Sequence, residues 1–159
     1  MSDEAEPPRF IVDHMLGSLA RWLRMLGYDS RYDKELDDGQ MLSEAKREGR
    51  IIITRDRELS ERGGGFLLST TDLDGQLSAV AEKFSLKFRI DSMRCSVCNG
   101  RLSEIGADKA KGLIPEKSFG SAKNFWVCES CHKAYWDGTH WKGIMDRFRK
   151  LGLAGEGTG

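Results

Sequence analysis

The sequence predicts an α/β protein: a three-layer domain on a mainly parallel sheet, followed by a small β-rich metal module. Short apolar runs, FIV at 10–12 and III at 51–53, alternate with stretches of helical period as far as residue 86. Such alternation calls for crossover connections and hence parallel pairing. Beyond residue 86 the pattern changes to short alternating stretches, Gly-rich turns and two CxxC pairs.

Residues 9–13 (RFIVD) are the expected first strand, with Phe10, Ile11 and Val12 as a fully buried run. In the helix expected over 16–26, Leu16, Leu19, Ala20, Leu23 and Leu26 share one face, the period of a helix packed on a sheet. Gly27 stands where a left-handed residue ends a helix. Residues 28–32 are the candidate second strand. Asp37 or Asp38 caps a helix running to about residue 48, with Met41, Leu42 and Ala45 inward and Gly49 closing it. A buried strand follows over 51–54, a short polar helix over 57–62, a glycine turn over 63–65 and a fourth strand over 66–69. Leu73, Leu77, Val80, Ala81 and Phe84 set a helix over 73–84. Residues 94–141 read as the metal module, and 141–151 as a closing amphipathic helix with Ile144, Phe148 and Leu151 on one side. The expected organisation is a disordered lead (1–8), a first domain (9–90), a zinc ribbon with its closing helix (91–151) and a disordered tail (152–159).

At 159 residues, 39% hydrophobic and 31% charged, the chain suits one domain with a small appendage. No apolar run approaches a membrane span and the start does not read as a signal peptide, so a cytoplasmic protein without a membrane partner is expected. The net charge of zero argues against a general polyanion binder. Residues 1–90 carry 14 Lys+Arg against 17 Asp+Glu, whereas 91–159 carry 11 against 8. That asymmetry fits a metal-loading half joined to an anion-binding half, and a solvated surface explains it about as well.

Three carboxylates carry the chemistry. Asp13 and Asp56 follow the buried runs FIV and IIIT, and the Asp37–Asp38 pair opens the helix between them. Parallel neighbours would bring these acids to one edge of the sheet, where open α/β folds place their sites. Clustered carboxylates repel one another unless a hard divalent cation lies among them. The pattern therefore reads as the active site of a metal-dependent nuclease. Any one of these acids alone is better explained as a helix cap or a turn closure, and one of Asp37 and Asp38 must be a cap; the joint pattern is what favours a site. Other chemistries lack their residues. Residue 15 is Met where a haloacid-type phosphatase needs a second Asp, and the GGG at 63–65 has neither P-loop nor dinucleotide spacing. Arg21 and Arg24, three apart on the first helix, and Arg55 are candidate phosphate clamps, the solvated helix face being the plain alternative.

Cys95/Cys98 and Cys128/Cys131 form two CxxC knuckles, the pattern of a closed tetrahedral zinc site. Four thiolates leave no open position for chemistry, so the zinc is expected to be structural. The spacer between the pairs is long enough to hold a hairpin excursion. His132 and His140 are spare. Around the knuckles, Trp136, Trp141 and Lys142 lead a set of aromatics interleaved with cations, which suits stacking on single-stranded bases and equally the core of a small module.

The runs IVDHMLGSLARWLRMLGYD, YDKELDDGQML and RIIITRDREL, with RCSVCNGRL and FWVCESCHKAYWDGTHW, resemble a known family over nearly the whole chain. That family is the PIN-like Mut-seven C-terminal RNase domain with its zinc ribbon. The resemblance implies a PIN-like fold, RNA as substrate and partner, and acids binding Mg²⁺ or Mn²⁺. It assigns Asp13 to the first-strand acid, Asp56 to the T-R-D acid, and Asp38 to the acid opening the second helix, with Asp37 its competitor. The usual fourth acid has only a loose match, in Asp72 or Asp74. The rival reading is a non-catalytic RNA- or protein-binding module on the same fold, and a toxin-like nuclease with a protein inhibitor shares the chemistry. Oligomeric state is not encoded in any feature of the sequence.

Overall fold

In the computed structural model, which describes residues 6–155, four parallel strands make the central sheet. They are β1 (Phe10–Val12), β2 (Ser30–Arg31), β3 (Ile51–Thr54) and β4 (Phe66–Leu67), in the order β2-β1-β3-β4. Phe10 pairs with Ser30 on one side and Ile51 on the other, and Ile53 pairs with Phe66. The expected strands all form: β3 spans its expected residues, and the other three are trimmed to the residues that find a ladder partner.

Helices cover both faces of this sheet. α1 (Gly17–Leu26) follows a 3-10 turn at His14–Leu16 and buries Leu19, Ala20, Leu23 and Leu26. Each buried leucine contributes about 1.5–3 kcal/mol relative to leaving it exposed. Gly27 stops α1 in the left-handed region at φ 118°, and a Cβ there would lie 2.9 Å from the Arg89 carbonyl oxygen. Only glycine meets both demands. α4 (Leu73–Phe84) spans the predicted residues and packs on the same face as α1. α2 (Asp38–Glu48) and α3 (Arg57–Gly63) lie on the other face, where Met41, Ala45 and Leu59 bury against Ile11 and Ile52.

A second, antiparallel sheet holds β5 (Leu102–Ile105), β6 (Phe125–Cys128) and β7 (Ala134–Trp136), in that order. The expected hairpin between the cysteine pairs forms as β5 and β6, and its long connection holds two single-turn helices, α5 (Ala107–Ala110) and α6 (Glu116–Phe119). Its apolar residues decide this: Ala110, Ile114 and Phe119 gather around Phe125, with Phe119 stacked on Phe125 at 5.4 Å.

α7 (Thr139–Lys150) is the predicted closing helix, but it does not close the metal module alone. Phe148 packs edge-on against Trp22 of α1 at 5.6 Å and tilts over Phe88 at 5.5 Å. Trp141 stacks on Trp126 of β6 at 5.1 Å. One apolar core thus runs from the parallel sheet through α7 into the second sheet, across the expected boundary at residues 90–91. The chain also stays packed past residue 152, which corrects the expected start of the tail: Leu153 is buried, and its carbonyl accepts from the Phe88 N–H. The rest of the expected lead and tail, residues 1–5 and 156–159, lies outside the described residues. Among the described residues no helix is long and apolar enough to cross a membrane.

Candidate functional site

The chain leaves β1 toward β2 on one side and returns through α2 to β3 on the other. The gap between the C-terminal ends of β1 and β3 is therefore the switch point of the sheet. Val12 pairs with Ile53 there, which sets Asp13 beside Thr54. The Asp13 N–H donates to the Ile53 carbonyl at 2.9 Å. Its side chain is only 2% exposed. One carboxylate oxygen accepts from the His14 N–H at 2.8 Å, and the other from the Thr54 hydroxyl at 2.6 Å. Thr54 Oγ1 in turn accepts the Asp56 N–H at 2.9 Å. One buried hydroxyl thus binds the two predicted acids into a single unit. The His14 Nδ1 lies 3.1 Å from Asp13, and no Lys or Arg pairs with Asp13 among the described residues.

Asp56 is exposed and caps α3, accepting from the Leu59 N–H at 3.3 Å. At α2 the ambiguity of the Asp pair is resolved. Asp37 accepts from the Gln40 N–H at 2.8 Å while the Gln40 side chain accepts from the Asp37 N–H, a reciprocal capping box. Asp38 is left exposed, with no side-chain hydrogen bond to a described residue. The loosely matched fourth acids are committed elsewhere. Asp72 caps α4 and accepts from the Thr70 hydroxyl, which together with the Gly75 N–H holds its carboxyl below the usual range. Asp74 faces Arg147 of α7 at 3.4 Å. Asp13, Asp38 and Asp56 do not converge within one coordination sphere: among the described residues, the only group of three or more His, Cys, Asp or Glu so gathered is the four cysteines. The donors are of the right type for a hard divalent cation, but only Asp13 and Asp56 are structurally coupled.

The predicted phosphate clamps divide. Arg21 and Arg55 are exposed and make no ion pair with a described residue. Arg24 is 5% exposed and is engaged with the chain itself. Its guanidinium donates to the Ser30 carbonyl at 2.8 Å and the Ser96 carbonyl at 2.9 Å, riveting β2 and the first knuckle to α1. Burial lowers its pKa, an effect that the nearby Cys95 and Cys98 partly oppose.

The cysteines assemble as predicted. All four Sγ atoms lie within 4.8 Å of one another, with Cys95–Cys131 at 3.7 Å and Cys98–Cys128 at 3.5 Å. The edge of a sulfur tetrahedron around zinc is about 3.8 Å for bonds of about 2.3 Å. Each knuckle closes alike: Asn99 N–H donates to the Cys95 carbonyl and His132 N–H to the Cys128 carbonyl, both residues being left-handed (φ 68° and 67°). His132 serves this turn and is not a fifth ligand in the cluster. Gly100 admits the sulfur, since a Cβ there would meet Cys128 Sγ at 2.7 Å. The Ser130 and Cys131 N–H groups point at Cys128 Sγ from 3.4 Å. Burial pushes the Cys98 thiol up to about 12, whereas those N–H groups outweigh burial at Cys128 and bring it to about 7. Four thiols this close cannot all ionise without a cation among them. The donor set fits a soft-ligand, four-coordinate metal.

The aromatics around the second sheet are largely structural, as a small module requires. Trp141 is buried against Trp126, which corrects its reading as a base platform. Trp136 is half-buried among Phe125 and its neighbours. Lys142 is exposed on the first turn of α7. Two supporting residues escaped sequence reasoning. Thr54 is a polar residue ending a buried strand, which was a usable signal. Asn99 donates to Asp29 at 2.7 Å and accepts from the Ser30 N–H at 3.1 Å, contacts that no local pattern encodes.

The chain is similar to the human exonuclease mut-7 homologue, with 34% identity over 117 residues, or 67% of this chain. It spans only 13% of that protein's length. Residues 8–148 match the Mut7-C RNAse domain, a span that takes in the acidic sheet edge, both knuckles and most of α7. The chain therefore belongs to the Mut7-C RNAse domain family.

Proposed function

We propose that this chain is a metal-dependent ribonuclease with a PIN-like fold, acting on single-stranded RNA in the cytoplasm. The observation that carries the reading is Asp13: a carboxylate 2% exposed at the switch point of the sheet, tied through Thr54 to Asp56 and lacking a Lys or Arg partner among the described residues. A buried carboxylate is costly without a compensating cation. Asp13, Asp56 and Asp38 would hold Mg²⁺ or Mn²⁺, and membership of an RNase family agrees with that donor set. Such a cation supplies Lewis acidity to the phosphate and a lowered pKa to its bound water. The chain's own residues orient and hold. Thr54 fixes the rotamer of Asp13, and the Asp56 backbone leans on the same hydroxyl. Arg21 and Arg55 neutralise phosphates on either side of the scissile bond. Water oxygen forms the new P–O bond, the bond to the leaving ribose oxygen breaks, and that oxygen takes up a proton. The four cysteines hold structural zinc, and the ribbon assists RNA binding.

A second reading, a non-catalytic RNA- or protein-binding module, has one observation in its favour: the acids are not gathered in one sphere, and Asp72 and Asp74 are engaged elsewhere. Cleavage of labelled single-stranded RNA with and without Mn²⁺, by wild type and by Asp13→Asn and Asp56→Asn, separates the two. The nuclease reading expects Mn²⁺-dependent cleavage that falls in each variant by more than the roughly 10–100-fold typical of losing a group that merely supports a ligand. No cleavage by zinc-loaded wild type across several RNAs selects the binding module, whereas full activity in Asp13→Asn removes Asp13 from the catalytic site.

A further inference from the structure

A groove of about 690 Å³ opens beside the acidic edge, between the start of α1 and the first cysteine knuckle. His14 and Arg55, the neighbours of Asp13 and Asp56, stand at its lip. Arg21 and Lys34 extend its charge, and no Asp or Glu lines it. Arg21, Lys34 and Arg55 are exposed and make no ion pair with a described residue, whereas Arg31, Arg47 and Arg50 are each paired with carboxylates. A cluster of cations left unneutralised is a site for an anion supplied from outside.

The same groove has apolar lips. Met15 is 54% exposed and Val97 64%, the two most exposed large hydrophobic residues among the described residues, and both line it although they lie far apart in sequence. Large exposed hydrophobics that converge from different segments mark a binding site rather than scattered surface. Val97 belongs to the Cys95–Cys98 knuckle, and Arg24 holds that knuckle against α1 through the Ser96 carbonyl. One wall of the groove is thus set by the metal module.

We propose that this groove is the track of the substrate strand, a single-stranded polynucleotide with phosphates on Arg21, Lys34 and Arg55 and unpaired bases against Met15 and Val97. Cations along a backbone track combined with a surface for base faces are what single-strand binding requires. A duplex would hide its base faces from those two residues. The proposal deepens the nuclease reading and rests on it for the direction of the strand toward Asp13. It assigns the ribbon's contribution to the knuckle tip, in place of the buried tryptophans.

The test is fluorescence anisotropy of a labelled single-stranded oligoribonucleotide with the zinc-loaded full chain and no added Mg²⁺ or Mn²⁺, so that the strand stays intact. Val97→Asp is expected to weaken binding by about tenfold or more, through loss of a base contact and repulsion of phosphate. Arg21→Ala and Lys34→Ala are each expected to weaken it and to lower the salt slope by about one. Leu113→Asp, at an exposed apolar residue outside the groove, is expected to bind as wild type. Arg21→Ala and Lys34→Ala keep the test decisive if Val97→Asp loses its zinc. Unchanged binding in the groove variants, or equal weakening by Leu113→Asp, overturns the proposal. Mn²⁺-dependent cleavage is read on the same preparations. Cleavage with unchanged binding sinks the groove and spares the nuclease, whereas groove-dependent binding without any cleavage does the reverse.

Discussion

The molecule has two candidate ligand sets, and they are built in opposite ways. The four cysteines come as two local knuckles, each closed by its own backbone, so one long-range contact between β6 and the loop before β5 completes the cluster. The three acids come from three separate segments, and each is anchored where it stands: Asp13 by His14 and Thr54, Asp56 by α3, Asp38 by the helix that Asp37 caps. Four sulfurs close around one point as a tetrahedral metal requires, whereas clustered carboxylates repel one another unless a cation lies among them. The first set reads as preassembled and structural. The second reads as held apart and responsive.

Breaking the preassembled set should have the largest effect. Structural zinc contributes binding free energy of roughly 10–16 kcal/mol in isolated zinc modules, and that energy is folding energy. Cys128→Ser is expected to abolish stoichiometric zinc and, because β6 shares the main core through Trp126, to lower the thermal midpoint of the whole chain. Zinc analysis with calorimetry checks it. A midpoint unchanged in a zinc-free variant would show that the two sheets do not depend on one another.

The responsive set is probed next through Thr54. Thr54→Val keeps the shape of the strand end but removes the hydroxyl that joins Asp13 to Asp56. Losing a group that orients a ligand costs roughly 10–100-fold in metal affinity or activity. Mn²⁺-dependent cleavage is expected to fall by that factor with zinc content unaltered. Wild-type activity would mean that Asp13 needs no such support.

The contrast also explains what the sequence made legible. The helices α1 and α4, the strands around FIV and IIIT, and the cysteine cluster all follow from local period or spacing. Arg24 did not: helical spacing placed it beside Arg21 on the solvated side, and the knuckle that covers it comes from residues 95–98. Trp141 looked available for the same reason, until Trp126 of another strand stacked on it. The choice between Asp37 and Asp38 turned on a capping box whose signal lay in the sequence: Gln40 stands three residues after Asp37, whereas Met41 stands three after Asp38. The misread residues are those whose partners lie far off in the chain or whose role turns on a single residue of register.

That last distinction gives a smaller, reciprocal test. Asp37→Ala is expected to cost about 1 kcal/mol of stability through loss of the cap, with cleavage unchanged. Asp38→Ala is expected to leave the denaturation midpoint near wild type and to raise the Mn²⁺ concentration needed for half-maximal cleavage. If the two variants exchanged these effects, Asp37 would be the ligand and the cap would be dispensable.

The smallest effect lies on the tie between the two regions. Asp29 accepts from Arg50 at 2.7 Å and from Asn99 of the first knuckle at 2.7 Å. Burial raises its pKa, but these two hydrogen bonds and the charge of Arg50 outweigh burial and hold the carboxyl below its usual value. The unfolded chain therefore takes up this proton first, at about pH 4. The stabilisation from Asp29 is complete above that pH and is lost as the pH falls through the lower folded value. Wild type should accordingly lose thermal stability more steeply than Asp29→Asn on the acid side of about pH 4. Zinc release adds its own acid sensitivity, because thiolate ligands take up protons, so the comparison is made where both proteins retain equal zinc. Parallel midpoint curves over that range would remove Asp29 from the coupling and leave Arg24 as the principal rivet between knuckle and sheet.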